Sequence, residues 1–325
     1  MSPRFLAPFI AIASLLAAPA LAQEDAAKSY PSKPIHFIVG FVPGAGTDVI
    51  VRVVSAKMFE GQGPAVIVGN KPGAQSIIAA EFVAKSAPDG YTVFAGPVGP
   101  IAMNPALYSK LPYDPLRDFA PVTLIGSQPV LLVVNPAHPA RSVKELLDFA
   151  RARPKDISYA SGAPPFQLAS ELLKQKTGTQ FTYIPYKGSN ESLNAILSGQ
   201  VTISLLDAVT VTGPLKAGRL RALALMSPAR HPAWPDVPTI AEAGVPDIEV
   251  TLWTGVFVAA ATPAPIVRKL RDEIARVVAL PEVRDRLAGV GFQVSGNSSE
   301  EFGRFVASEH AKWTAVAKKA NIRAD

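Results

Sequence analysis

Four turns of small and hydroxylated residues carry the chemistry this sequence offers. The sharpest is Gly40-Phe41-Val42-Pro43-Gly44-Ala45-Gly46-Thr47-Asp48, which follows the apolar run from Ile35 and precedes a helical stretch. Small residues let main-chain N–H groups approach a ligand, and a helix start adds roughly half a positive charge. A carboxylate or phosphate can therefore be held there without a cationic side chain. Thr47 and Asp48 are equally natural helix caps, so an ordinary strand-to-helix turn competes with that reading. Three further turns repeat the pattern: Gly69 to Ser76, Ser158 to Gln167, and Pro185-Tyr186-Lys187-Gly188-Ser189-Asn190. Each alone reads as a turn, but four at the carboxyl ends of strands point to a ligand cleft, because α/β folds bind ligands there.

The templates for covalent chemistry are missing. The 325 residues include no cysteine, which removes disulfides, thiolate metal sites and a cysteine nucleophile. Gly44-x-Gly46-x-x-Val49 lacks the third glycine of a dinucleotide loop and the Lys-Ser/Thr of a phosphate loop. His36, His138, His231 and His310 are far apart, with no metal-ligand spacing, and no Gly-x-Ser-x-Gly elbow occurs. The pairs Asp272-Glu273 and Glu300-Glu301 fall on expected exposed helix faces or starts, where solvation accounts for them. No catalytic residue, metal or cofactor is assigned, and the chain is expected not to be an enzyme. The net charge of +6 comes from scattered Lys and Arg, which argues against nucleic acid while suiting capture of a small anion.

The elements that must position these turns alternate along the chain. Apolar, β-branched runs recur from Ile35 through Ala260, among them Val122 to Ile125, Val130 to Val134 and Val201 to Leu206. Helical stretches lie between them: Asp48 to Phe59, Ile77 to Lys85, Val143 to Arg151, Gln167 to Lys176, Ser192 to Ser198 and Ile266 to Val278. The alternation specifies an α/β chain. Ser142-Val143-Lys144-Glu145 and Ser298-Ser299-Glu300-Glu301 are capping boxes, and Pro281 follows the helix that Thr262-Pro263-Ala264-Pro265 leads in. The chain is expected to cross between two lobes twice, after Gly126-Ser127-Gln128-Pro129 and again within Pro246 to Gly255. That gives one lobe of residues 31–128 plus 254–325 and another of 129–253, with a cleft and hinge between them. At the start, Arg4, an apolar run to Ala18, Pro19 and Ala20-Leu21-Ala22 read as a cleaved secretory signal over residues 1–22. The run is too short for a span, so the mature chain is expected to be exported.

The order of the motifs resembles the tripartite tricarboxylate transporter receptor family, the Bug-type or TctC-like extracytoplasmic receptors. The resemblance is carried across the mature chain by Tyr30-Pro31-Ser32-Lys33-Pro34, Pro43-Gly44-Ala45-Gly46-Thr47-Asp48, Asn70-Lys71-Pro72-Gly73-Ala74, Ala87-Pro88-Asp89-Gly90-Tyr91, Leu111-Pro112-Tyr113-Asp114-Pro115, Pro185-Tyr186-Lys187-Gly188, Ala217-Gly218-Arg219-Leu220, Pro235-Asp236-Val237-Pro238-Thr239 and Lys312-Trp313. It implies a two-lobed periplasmic binding protein of type II that closes on a small carboxylated molecule and delivers it to a membrane permease, a task suited to a monomer. It also implies a ligand held by main-chain and hydroxyl donors near Phe41, Gly46, Thr47, Asp48, Gln75, Ser76 and Ser161, with Asp207 close by. A sensor output in place of transport, and an exported enzyme in the same cleft, are the alternatives.

Two departures from the family pattern fall in the expected pocket. Gln75-Ser76-Ile77-Ile78 stands where a Gly-Asn-Ile-Gly is usual, and the shorter Ala163-Pro164-Pro165-Phe166-Gln167-Leu168 replaces a Gly/Ser loop ending in His-Leu. Prolines remove N–H donors and Phe166 adds an apolar face. A ligand less polar at one end than a plain C4 dicarboxylate is therefore expected, such as an aromatic or branched-chain carboxylate. The alternative is that Phe166 packs under the loop and the ligand is an ordinary acid.

Overall fold

The computed structural model describes residues 28–61, 63–248, 250–320 and 323. The expected signal segment lies outside them. Among the described residues no helix is long and apolar enough to cross a membrane.

Strands β1 (Ile35–Val39), β2 (Val66–Asn70) and β3 (Thr92–Pro97) alternate with helices α1 (Gly46–Ser55) and α2 (Ile77–Ala84). A short helix α3 (Asn104–Leu107) leads to β4 (Phe119–Val134), after which α4 (Val143–Ala152), β5 (Ser158–Ser161), α5 (Pro164–Thr177), β6 (Thr182–Pro185), α6 (Ser189–Leu197), β7 (Ile203–Asp207), α7 (Ala208–Lys216) and β8 (Arg221–Leu225) follow. The chain ends with β9 (Thr251–Ala259), α8 (Ala264–Ala279), α9 (Pro281–Ala288), β10 (Gln293–Val294) and α10 (Ser299–Ala320).

The organising element is β4, 16 residues long. Its first part, from Phe119 to Pro129, runs antiparallel to β9, and Gly126 and Ser127 also pair with β10. Its second part, from Val130 to Val134, runs antiparallel to both β7 and β8. Pro129, with no N–H to give a ladder, stands where the partners change. The short parallel strands flank this ribbon: β2, β1 and β3 lie beyond β9, while β5 and β6 lie beyond β7. Sequence reading separated Val122 to Ile125 from Val130 to Val134 as two strands; they are one, because the intervening Gly and Pro bend and bulge a strand that continues.

Burial follows the amphipathic patterns. Ile50 and Val54 of α1 and Leu270, Ile274 and Val277 of α8 bury against Phe37, Val93 and Val256 on one face. On the other, a single apolar cluster runs from Ile38 and Phe94 through Trp253 to Phe166, Leu146 and Leu223. Full burial of a side chain such as Leu or Ile contributes roughly 1.5–3 kcal/mol. Both serines cap their helices: Ser298 forms the full reciprocal box, its Oγ accepting from Glu301 N at 3.1 Å while Glu301 accepts from Ser298 N, whereas Ser142 Oγ accepts from Glu145 N at 3.2 Å and Glu145 reaches one residue further back, to Arg141 N. Pro281 does more than end α8; it is the first residue of α9, where a missing N–H costs nothing.

Candidate functional site

The carboxyl ends of β1, β3, β5, β6 and β7 open on one cavity of about 160 Å³, with Gln128 of β4 and Leu252 to Thr254 of β9 at its back. The β1–α1 loop forms one wall. Gly44 has φ +81°, a value that glycine accepts without strain, and this turns the chain into α1. The first helical bond is Val49 N to Ala45 O at 3.0 Å, so the N–H groups of Gly46 and Thr47 have no partner within the helix. They point their partial positive charge at the cavity, which both residues line.

The opposite wall comes from the loops before α5 and α6. Gly162 and Gly188 approach so closely that a Cβ on Gly162 would fall 2.5 Å from the Gly188 backbone, which explains the glycine at position 162. Gly188 N-caps α6, and the first main-chain bond of that helix is Ser192 N to Gly188 O at 3.2 Å. At α5 the donors are exhausted: Pro164 and Pro165 have none, and the N–H groups of Phe166 and Gln167 both go to Ala163 O.

The two walls touch. Asn190 Nδ2 donates to Gly44 O at 3.4 Å. A Cβ on Gly46 would lie 2.9 Å from Asp207 Oδ1 and 3.6 Å from Gln128 Nε2. Gln128 is only 6% exposed, and its orientation is fixed because Oε1 accepts from Val209 N at 3.0 Å. Its Nε2 therefore presents N–H toward Gly46 and the cavity. Asp207 N-caps α7, Oδ1 accepting from Thr210 N at 2.9 Å, and both its oxygens lie 2.9 Å from Thr210 Oγ1.

Of the residues expected at the site, Phe41, Gly46, Thr47, Gln75, Phe166 and Asp207 line the cavity. Asp48, Ser76 and Ser161 do not, and each has a local reason. Asp48 is 2% exposed and turned back into its loop, accepting from Gly44 N, Arg52 Nε and Asn70 Nδ2 at 2.8–2.9 Å. Burial would raise its pKa, but the bonds from Arg52, Gly44 and Asn70 outweigh that and hold the carboxyl below its usual value. Ser161 Oγ donates to Ala163 O at 3.0 Å, inside its own turn. Ser76 is buried beneath Gly40, where a Cβ would collide with its Oγ.

Gln75 reaches the cavity because the chain at Ala74, Gln75 and Ser76 has φ of +44°, +53° and +70°. Such a run suits glycine and costs of order 1–3 kcal/mol per residue elsewhere. It is tied down by Ser76 N to Gly73 O at 3.0 Å and Asn104 Nδ2 to Gln75 O at 3.0 Å.

Sequence reading left out Gln128, Lys187, Glu191, Leu252, Trp253 and Thr254, all of which line the cavity. Lys187 belongs to the fourth turn, whose cation was legible. Trp253 is 1% exposed and its indole N–H bonds Glu309 Oε2 at 3.0 Å, an oxygen that also accepts from Trp313 at 3.1 Å. Lys312-Trp313 thus braces the cavity wall from α10. Among the described residues no cluster of His, Asp and Glu could hold a metal ion.

Comparison with known proteins places this geometry. BugT of Bordetella pertussis is 32% identical over 315 residues, 96% of this chain and 97% of its own. The structure of an R. palustris protein with adipate is 35% identical, covering 90% of this chain and 99% of that one with a TM-score of 0.87. MatC from Rhodopseudomonas palustris with bound malate is 31% identical, covering 88% and 99% with a TM-score of 0.83. The α/β architecture is that of two-lobed periplasmic binding proteins. With residues 50–322 matching the pattern of the tripartite tricarboxylate transporter family receptor, TctC, this chain belongs to that receptor family.

Proposed function

We propose that this chain is a periplasmic receptor that captures a small carboxylated molecule between two lobes and delivers it to a permease of the tripartite tricarboxylate transporter type. The family is one of solute receptors, not enzymes. The observation that carries the reading is the seat at the start of α1, where the unpartnered N–H groups of Gly46 and Thr47 face the Nε2 of Gln128 across a cavity. These are neutral donors, so they can surround a carboxylate without a counter-ion, and in a closed cavity their bonds to it are stronger than in water. The bound adipate and malate of its relatives support the same ligand chemistry.

The lobes we assign are residues 31–128 with 254–325, and 129–253. The changeover of β4 at Pro129 and the start of β9 at Thr251 support that division. The mechanism is closure about these two strands: a carboxylate seated on α1 beside Gln128 draws the α6 loop of the other lobe onto it, and the Asn190–Gly44 contact latches the cleft. The chain acts as an exported monomer after loss of residues 1–22.

The test is a thermal-shift screen of the chain from Gln23 onward against carboxylic acids, with amides of the same shape as controls. A ligand at 100 times its Kd stabilises the native state by about 2.7 kcal/mol, a shift of a few degrees at this size. A shift with an acid and none with its amide is expected. Equal shifts with both, or none with any acid, would refute the carboxylate reading.

A further inference from the structure

Resting on the reading of the cavity as a carboxylate site, we propose that it accepts one negative charge only, so that the ligand is a monocarboxylate whose remainder is apolar. Three further helix starts border the cavity, and none offers a second carboxylate a seat free of competition, because one lacks donors and the other two already carry a carboxylate. At α5, Pro164 and Pro165 supply no N–H and Ala163 O takes those of Phe166 and Gln167, so that helix start is spent on itself. At α6 the N–H groups of Ser189 to Glu191 precede the first helical bond, but that first turn already carries an anion: Glu191, itself a lining residue, which accepts from Lys187 N through Oε2 at 3.0 Å. A ligand carboxylate brought there would meet a like charge. At α7 the same holds, since Asp207 occupies the cap and Gln128 takes Val209 N. The wall therefore carries two carboxylates, Glu191 and Asp207, with no ion pair among the described residues, whereas the acid in the first turn of α1, Asp48, is neutralised by Arg52 at 2.9 Å.

Apart from the neutral side chains of Gln75, Ser189, Asn190 and Thr254, what remains of the wall is apolar. Phe166, Pro165, Leu252, Trp253, Val98 and Phe41 line it, with the Trp253 indole nitrogen turned away toward Glu309. That surface has nothing to offer a charged second end and stabilises a hydrocarbon or aromatic one. Lys187, exposed at the mouth, is the one cation lining the cavity among the described residues, and its neighbour Glu191 offsets it.

Matched acids that differ by one carboxylate test this: hexanoate against adipate, butyrate against succinate, and benzoate against terephthalate, each titrated by calorimetry into the mature chain. The monoacid of at least one pair should bind, at least ten-fold tighter than its diacid. Glu191→Gln keeps an oxygen to accept from Lys187 N but removes the charge, and should narrow that ratio several-fold without changing the melting temperature. A diacid binding as tightly as its monoacid would overturn the single-charge proposal and leave the carboxylate receptor standing. A folded chain that bound none of the six acids would overturn both.

Discussion

Gly46→Ala separates a contact of the closed cleft from one of the fold. Gly46 is the first residue of α1 and has ordinary negative φ, so alanine costs the helix nothing and improves its propensity by up to about 1 kcal/mol. The added Cβ lies 2.9 Å from Asp207 Oδ1, too short for a carbon against a carboxylate oxygen, with Asp207 Cγ at 3.5 Å and Gln128 Nε2 at 3.6 Å behind it. The two Asp207 atoms belong to the facing lobe, so the strain against them arises only when the lobes meet. Overpacking of this kind costs about 1–3 kcal/mol, which corresponds to a rise in Kd of about 5- to 150-fold. The assay pairs calorimetric titration with a bound acid and thermal melting of the ligand-free chain. The expected result is weaker binding with an unchanged or slightly higher melting temperature. Asp207→Ser in the same chain keeps a cap for α7 while removing the crowding oxygens, and should recover part of the affinity. Wild-type affinity in Gly46→Ala would refute the argument, and so would an equal loss of melting temperature, which would make the contact part of the fold itself.

Other residues should respond in distinguishable ways. Thr47→Ala removes a hydroxyl at the α1 seat and should weaken acid binding about 10- to 150-fold, the range for a bond to a charged group; titration with no change would remove that hydroxyl from the site. Asp48→Ala should do the reverse, lowering stability in urea by about 1–3 kcal/mol because Gly44 N, Arg52 and Asn70 lose a buried acceptor, with Kd nearly constant. Acid should destabilise the fold through two histidines. His138 and His231 each accept a main-chain N–H at Nδ1, from Ala140 at 3.2 Å and Ala233 at 3.1 Å, and burial lowers both pKa values, with Arg221 adding to it at His138. Between the lowered native value and about 6.5 the unfolded chain binds more protons, so stability is full above about pH 6.5 and lost as pH falls below it. His231→Asn, whose oxygen can still accept from Ala233, should reduce the slope in melting experiments from pH 7.5 to 5, and an unchanged slope would show that His231 does not contribute.

Much of the scaffold was legible because its start and stop residues act locally. Ser142 and Ser298 cap helices where expected, and the turn at Gly44 to Asp48 enters its helix two residues earlier than the periodicity suggested. What escaped depends on distant partners. Helix α7 is rich in β-branched residues and holds Gly213 and Pro214, a poor helix by propensity, yet Asp207 and Gln128 cap its start from β7 and β4. Gln128 lay unseen in a stretch read as a crossover, since only the folded β4 aims its amide at Gly46. Asp48 was misleading for the opposite reason: a carboxylate at a helix start beside a ligand loop looks like a site residue, but Arg52 one turn on and Asn70 from β2 claim it. Phe166 did reach the cavity, because the paired prolines begin α5 there and set the ring against the interior.

The 16-residue β4 has a consequence for how the molecule is made. In each half it is flanked on both sides, by β9 and β10 before Pro129 and by β7 and β8 after it. Neither half can be excised without leaving a sheet that has lost its middle strand, so the two should fold and melt in one cooperative transition despite the division of labour between them. The same shared strand makes assembly wait for distant sequence, since β4 finds its first-half partner only when β9, more than a hundred residues later, is available to pair. Until then the Val130–Val134 half, whose partners β7 and β8 arrive sooner, is the part free to fold.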